Sequence, residues 1–245
     1  MKKLISFINI VVLLTATMQR LPAMTMSMTT ESNKITIYMA GSGVFSINWG
    51  DGTKSETRTL FVHNEDDWNL DIHKYSYSHD YSGISSRYIT IVGVNITHLF
   101  CSDSQLTSLD VSKNTALNLL WCHNNQLTVL DVSQNIALTR LVCSVNQLTH
   151  LDISQNTLLS TLICKNNQLT SLDVSQNSAL LLLNCTDNQL NTDALDILFG
   201  TLHNNKVEGK CFFISNNPGI KTCNRNIVLS RGWAEEGYRF STTRL

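Results

Sequence analysis

LNLLWCHNNQLTVLDVSQNIA (Leu117–Ala137), LTRLVCSVNQLTHLDISQNTL (Leu138–Leu158) and LSTLICKNNQLTSLDVSQNSA (Leu159–Ala179) are consecutive copies of one 21-residue phrase. The phrase is spelled four times and begun a fifth, with starts at Ile96, Leu117, Leu138, Leu159 and Leu180. Its cysteines, Cys101, Cys122, Cys143, Cys164 and Cys185, keep the same spacing. A fixed period of this size specifies a solenoid, because no single unit can bury its own apolar face and neighbours must stack.

Each unit is nearly doubled. LTRLVCSVNQ (Leu138–Gln147) and LTHLDISQNT (Leu148–Thr157) share a leucine–leucine–asparagine pattern, which predicts two short strands per coil with inward and outward residues alternating. The inward pairs of the first strand are Leu99/Cys101, Leu120/Cys122, Leu141/Cys143, Leu162/Cys164 and Leu183/Cys185. Asn146, Asn156 and their equivalents fall where the chain turns and are expected to bond the turn backbone of neighbouring coils. At the strand spacing, five coils extend roughly 24 Å.

The repeats resemble the bacterial leucine-rich repeats of the 21-residue IRREKO type, over Ile96 to about Leu190. Upstream, KITIYMA (Lys34–Ala40), VFSINW (Val44–Trp49) and RYITIVG (Arg87–Gly93) alternate with the period of half-buried strands. WGDGT (Trp49–Thr53) supplies the glycines of a tight turn. With YSHDYS (Tyr77–Ser82), these stretches resemble the polycystic-kidney-disease (PKD) module of bacterial surface proteins, although short and without an obvious first strand. Downstream, Thr192–His203 has helical apolar spacing with Thr192 as its N-cap, and Lys210–Gly219 repeats the strand-and-asparagine logic. A short helix over Asn224–Arg231 ends at Gly232, and Trp233 folds back over the last coil. The expected fold is mainly β: residues 1–23 an export signal, 30–95 a PKD-like β-sandwich cap, 96–190 the leucine-rich solenoid of about five coils, and 191–245 an α/β C-terminal cap.

Lys2 and Lys3 followed by the 13-residue apolar run Leu4–Ala16 read as that signal, the run being too short to span a bilayer. Its removal takes three of the 18 basic residues and none of the 19 acidic, leaving 15 against 19, a net −4. That balance argues against nucleic acid as a partner. The expected location is the cell surface, the periplasm or the medium, with no integral membrane span after processing. Seven cysteines in an exported chain suggest disulfides. The ladder cysteines stand where the repeat wants leucine, however, and read as buried apolar packing; strand spacing also leaves oxidation between neighbours open. Cys211 and Cys223 are the other candidates for a bridge.

Asp110, Asp131, Asp152 and Asp173 form a second ladder. It is read either as a cation-binding row or as four turn residues that accept hydrogen bonds from adjacent Ser and Thr groups. The histidines do not cluster, and no metal, cofactor or catalytic group is expected. The outward positions of the first strand vary instead: Phe100, Trp121, Val142, Ile163, Asn184 and Phe213 along the centre, bordered by His98, Leu119, Arg140, Thr161 and Leu182 on one side and Ser102, His123, Ser144, Lys165 and Thr186 on the other. Aromatic and branched residues with polar borders have the composition of an interaction patch, although the same residues also favour strand formation. Ser108, Asp110 and Ser112 of the second strand are small and polar. The expected ligand-binding residues are Phe100, Trp121, Val142, Ile163, Arg140, His123, Lys165 and Phe213, in a non-enzymatic binding or adhesion module for a protein ligand. The alternatives are a glycan-binding accessory protein and a structural envelope component.

Overall fold

The computed structural model describes residues 24–62, 75–83 and 85–235; the expected signal segment lies outside them. The chain opens with β1 (Met24–Thr30), β2 (Lys34–Gly41), β3 (Gly43–Asn48), β4 (Glu56–Leu60), β5 (Ser76–Asp80) and β6 (Arg87–Gly93). The first coil contributes β7 (Ile96–Phe100) and β8 (Leu106–Asp110). Later coils contribute β9 (Leu119–Trp121), β10 (Arg140–Val142), β11 (Thr161–Ile163) and β12 (Leu182–Asn184). Helix α1 (Thr192–Thr201), β13 (Cys211–Phe213), α2 (Arg225–Ser230) and β14 (Ala234–Glu235) close the described chain.

The first strand, not obvious in the sequence, is β1. In MTMSMTT, Met26 and Met28 are fully buried and Ser27 between them is nearly so. It pairs antiparallel with β6 on one side and with β8 of the first coil on the other. Similarly, β2 lies antiparallel between β5 and β7. The N-terminal strands are therefore not a separate module set before the solenoid. They extend its two layers, in a sheet ordered β4-β3-β6-β1-β8 and a longer one ordered β14-β13-β12-β11-β10-β9-β7-β2-β5. One continuous apolar core runs from Met26 to Trp233. The β2–β7 register shifts at Gly41, where φ is 153° and a Cβ would stand 2.0 Å from the Asn95 carbonyl oxygen. Only glycine fits that approach.

From β7 to β14 the long sheet is parallel and in constant register, with Leu120 beside Leu99 and Leu141, and Leu162 beside Leu141 and Leu183. The second half of the coil departs from expectation. Only the first coil builds a second strand there, β8, because β1 is present to pair with it. In later coils single backbone bonds, such as Gln147 N–H to Leu127 C=O at 2.8 Å, join successive units. Side chains supply the rest. Asn146 Oδ1 accepts from the Leu127 N–H, and its Nδ2 donates to the carbonyls of Cys122, Cys143 and Ser144; Asn125, Asn167, Asn188 and Asn217 follow the same scheme. A second ladder of Asn135, Asn156 and Asn177 spans the other turn.

The five ladder cysteines are buried and unbridged, as are Cys211 and Cys223. Burial pushes the thiols of Cys101, Cys143 and Cys185 up to about 12, and burial with the neighbouring thiols pushes those of Cys122 and Cys164 well above the usual thiol range. At the C-terminal end the N-cap of α1 is Asn191, not Thr192: the Asn191 side chain accepts from the Ala194 N–H. Trp233 closes the core there and donates from Nε1 to the His203 carbonyl at 3.0 Å.

Candidate functional site

Constant register converts the variable outward positions into a straight row. Phe100 stands beside Trp121, Trp121 beside Val142, Val142 beside Ile163, Ile163 beside Asn184 and Asn184 beside Phe213. All of them are half-buried, as expected of side chains on a sheet that touch one another across strands. The row is longer than the repeats. Tyr38 of β2 pairs with Phe100, and Ser76 of β5 pairs with Tyr38. Sequence reasoning missed Tyr38. The alternation in KITIYMA does place it outward, but only the fold shows that β2 adjoins the first coil.

The aromatic end of the row has a specific geometry. Phe100 and Trp121 meet edge-to-face, with ring centroids 4.7 Å apart and planes at 80°. The Trp121 Nε1–H is shielded from solvent and has no hydrogen-bond partner among the described residues. A buried orphan donor costs about 1–3 kcal/mol.

The borders differ from expectation on both sides: Ser144 of the second border is covered, at 3% exposure. His98 and Leu119 are almost fully covered, at 6% and 5% exposure, so neither is an open contact residue. Leu119 lies in register between His98 and Arg140, where neighbouring side chains close over it. Arg140 stays half-exposed on that border. On the opposite border Ser102 Oγ and His123 Nδ1 are 2.9 Å apart, His123 Nε2 is 3.8 Å from Asp103 Oδ2, and Lys165 is exposed. The row thus carries a cation on each side, Arg140 and Lys165, with His123 two strands from Lys165 on the same border.

The carboxylate ladder resolves to turn structure. Asp110, Asp131, Asp152 and Asp173 each accept the backbone N–H two residues on, from Ser112, Ser133, Ser154 and Ser175, at 2.7–2.9 Å. For Asp110 and Asp152 those serines hold the carboxyl below the usual carboxylate range, the backbone bond contributing most. Among the described residues no three His, Cys, Asp or Glu side chains come together as a metal site. The second face is also less uniformly polar than Ser108 suggests, since two of its three equivalents are Val129, 73% exposed, and His150, the third being Ser171.

No protein-family model matches the chain, and no curated protein matches it. Among solved structures, it is similar to the functional domain of InlJ from Listeria monocytogenes, which includes a cysteine ladder. That likeness has 36% identity and a TM-score of 0.44, and covers 54% of this chain and 28% of the InlJ chain. It is also similar to an internalin, InlF, from Listeria monocytogenes, at 22% identity and a TM-score of 0.46, over 57% of this chain and 38% of that one. The chain therefore corresponds to well under half the length of either protein.

Proposed function

We propose that this chain is an exported, non-enzymatic binding module. It takes a protein ligand on the outward face of the long sheet, outside the cytoplasm, at the cell surface, in the periplasm or in the medium. In this reading the repeats are of the 21-residue IRREKO type and the N-terminal strands are a shortened PKD-like cap. Phe100, Trp121, Val142, Ile163 and Phe213 form the contact row. Arg140, His123 and Lys165 select at its borders, and Tyr38 extends it. Among the described residues no helix is long and apolar enough to cross a membrane.

The observation that carries the reading is the register-aligned row from Tyr38 to Ile163, which fixes aromatic and branched side chains about 4.8 Å apart on a rigid sheet. Its edge-to-face pair favours protein over glycan. Rings at 80° make a notch suited to a single side chain and offer no flat two-ring surface for a sugar to lie across. The orphan Trp121 N–H is a free donor that a ligand acceptor, such as a peptide carbonyl, can satisfy once the indole turns.

A phage-displayed library of random linear peptides, selected on the immobilised full chain, provides a probe. Trp121→Ala is expected to weaken the selected peptides by about 2 kcal/mol or more, the behaviour of an interface hot spot. Asp131→Ala on the second face is expected to leave them bound. The reverse pattern would move the site to the acidic ladder and end this assignment. Binding to a glycan array without peptide binding would also end it.

A further inference from the structure

The first turn of every coil passes through a left-handed residue. Asp103, Asn124, Val145, Asn166, Asp187 and Asn216 have φ between 52° and 59°. Five of the six are Asp or Asn, the side chains that tolerate this region best after glycine. Val145 is β-branched, and its second γ carbon makes the same backbone strained. The column also carries side-chain bonds that valine cannot join. Asn124 Nδ2 donates to Asp103 Oδ1, and Asn216 Nδ2 donates to Asp187 Oδ1 at 2.7 Å. Val145 sits between Asn124 and Asn166 with nothing to donate or accept.

The fold recovers neither loss. Val145 is 40% exposed, so the side chain adds little to the core. Its backbone N–H donates to the Lys165 carbonyl at 2.9 Å, a bond that any non-proline residue would make. What valine does add is apolar surface at a particular place. In the first coil the equivalent Asp103 reaches within 3.8 Å of His123, the border residue of the next coil. Position 145 stands in the same relation to Lys165 one coil on, its N–H bonded to the Lys165 carbonyl, and Val142 lies three residues earlier in the chain. The charges nearby are unequal. Asp103 and Asp187 are engaged by Asn124 and Asn216, whereas Lys165 forms no ion pair among the described residues.

We propose that Val145 is a specificity-determining contact, kept against its backbone preference because a protein partner presents an apolar side chain beside a carboxylate: the apolar group covers Val142 and Val145, and the carboxylate meets Lys165. Strain held at a place the fold does not require is the mark of a recognition site, and a stabilising substitution there trades against binding. The inference rests on the long-sheet reading above.

The test uses the full chain and the peptides selected on it. Val145→Asn is expected to raise the melting temperature by about 2–4 °C or more, through relief of φ and entry into the side-chain column. It is also expected to weaken the selected peptides about tenfold. Val145→Gly removes the strain and the apolar group without adding an amide, and is expected to show the same loss of affinity. Selected sequences should pair an apolar residue with Asp or Glu. Undiminished peptide binding by both variants overturns the proposal, as does a lower melting temperature for Val145→Asn or a set of basic peptides. The two ideas separate at Trp121. Loss of binding in Trp121→Ala but in neither Val145 variant removes this inference alone, whereas an inert Trp121→Ala removes the sheet-face reading as well.

Discussion

Asn156 shows how much one repeated residue does. It is fully buried, and its Nδ2 donates to the carbonyls of Val132 and Asn135 at 3.0 and 2.9 Å, tying its own coil to the one before. Replacing it with alanine removes two buried hydrogen bonds, each contributing about 0.5–1.5 kcal/mol, and leaves both carbonyls with a backbone donor, the Asn135 N–H and the Leu138 N–H. Asn156→Ala should therefore destabilise by about 1–3 kcal/mol in chemical denaturation. Asn114 begins the same ladder and is as deeply buried, but neither of its amide atoms has a partner among the described residues. The repeat specifies asparagine there, yet the preceding chain is β-sheet rather than a coil with a turn to bind. Asn114→Ala should cost less than about 1 kcal/mol, because no bond is lost and an unsatisfied amide is removed. Equal losses at the two positions would show that the ladder bonds contribute little.

At the scale of elements, the turn between β3 and β4 is organised by one carboxylate. Asp51 accepts from Thr53 Oγ1 at 2.6 Å and from the Thr53 N–H at 3.0 Å, and pairs with His79 Nε2 of β5 at 2.7 Å. His79 in turn stacks on Trp49, whose Nε1 donates to Glu56. The Thr53 hydroxyl first, then His79, hold the Asp51 carboxyl well below the usual range. A carboxyl depressed in the folded state stabilises fully above its unfolded value of about 3.9, and that stability is lost as pH falls towards the folded value. Thermal stability should therefore decline on acidification below about pH 4–5, and Asp51→Asn should make the decline shallower. Asp110, Asp152 and Glu56 are depressed too, so some slope should remain. Superimposable pH profiles for variant and parent would remove Asp51 from the account. The motif residues WGDGT and YSHDYS are legible in the sequence, but their meeting through Asp51 and His79 depends on where β5 pairs.

For the whole molecule the decisive strand is the one at its N-terminal end. β1 is hydrogen-bonded to β6 on one side and β8 on the other, so it joins the N-terminal strands to the first coil within one sheet. Met26 and Met28 belong to the common core. A chain beginning at residue 31 should fail to give a cooperative unfolding transition, because it opens that core and exposes two strand edges at once. A chain beginning at residue 24 should unfold as the full chain does. Normal folding from residue 31 would mean that the N-terminal strands and the solenoid are independent after all.

What the sequence determined by itself is everything that the 21-residue period carries: the solenoid, the inward leucine and cysteine columns, the asparagine ladders and the variable outward row. Those features are local and repeat in identical form, so alternation and spacing suffice to read them. Position 145 belongs here in part, since the sequence shows valine among Asp and Asn, while its left-handed backbone emerges only with the coordinates. The tertiary structure decided the rest. It paired β1 with β8 and β2 with β7, placed Tyr38 in the aromatic row, covered His98 and Leu119, and left the second half of later coils without strand pairing. The pairings of β1 and β2 and the place of Tyr38 depend on contacts between segments that do not repeat one another, and no periodicity records which non-identical edges will meet.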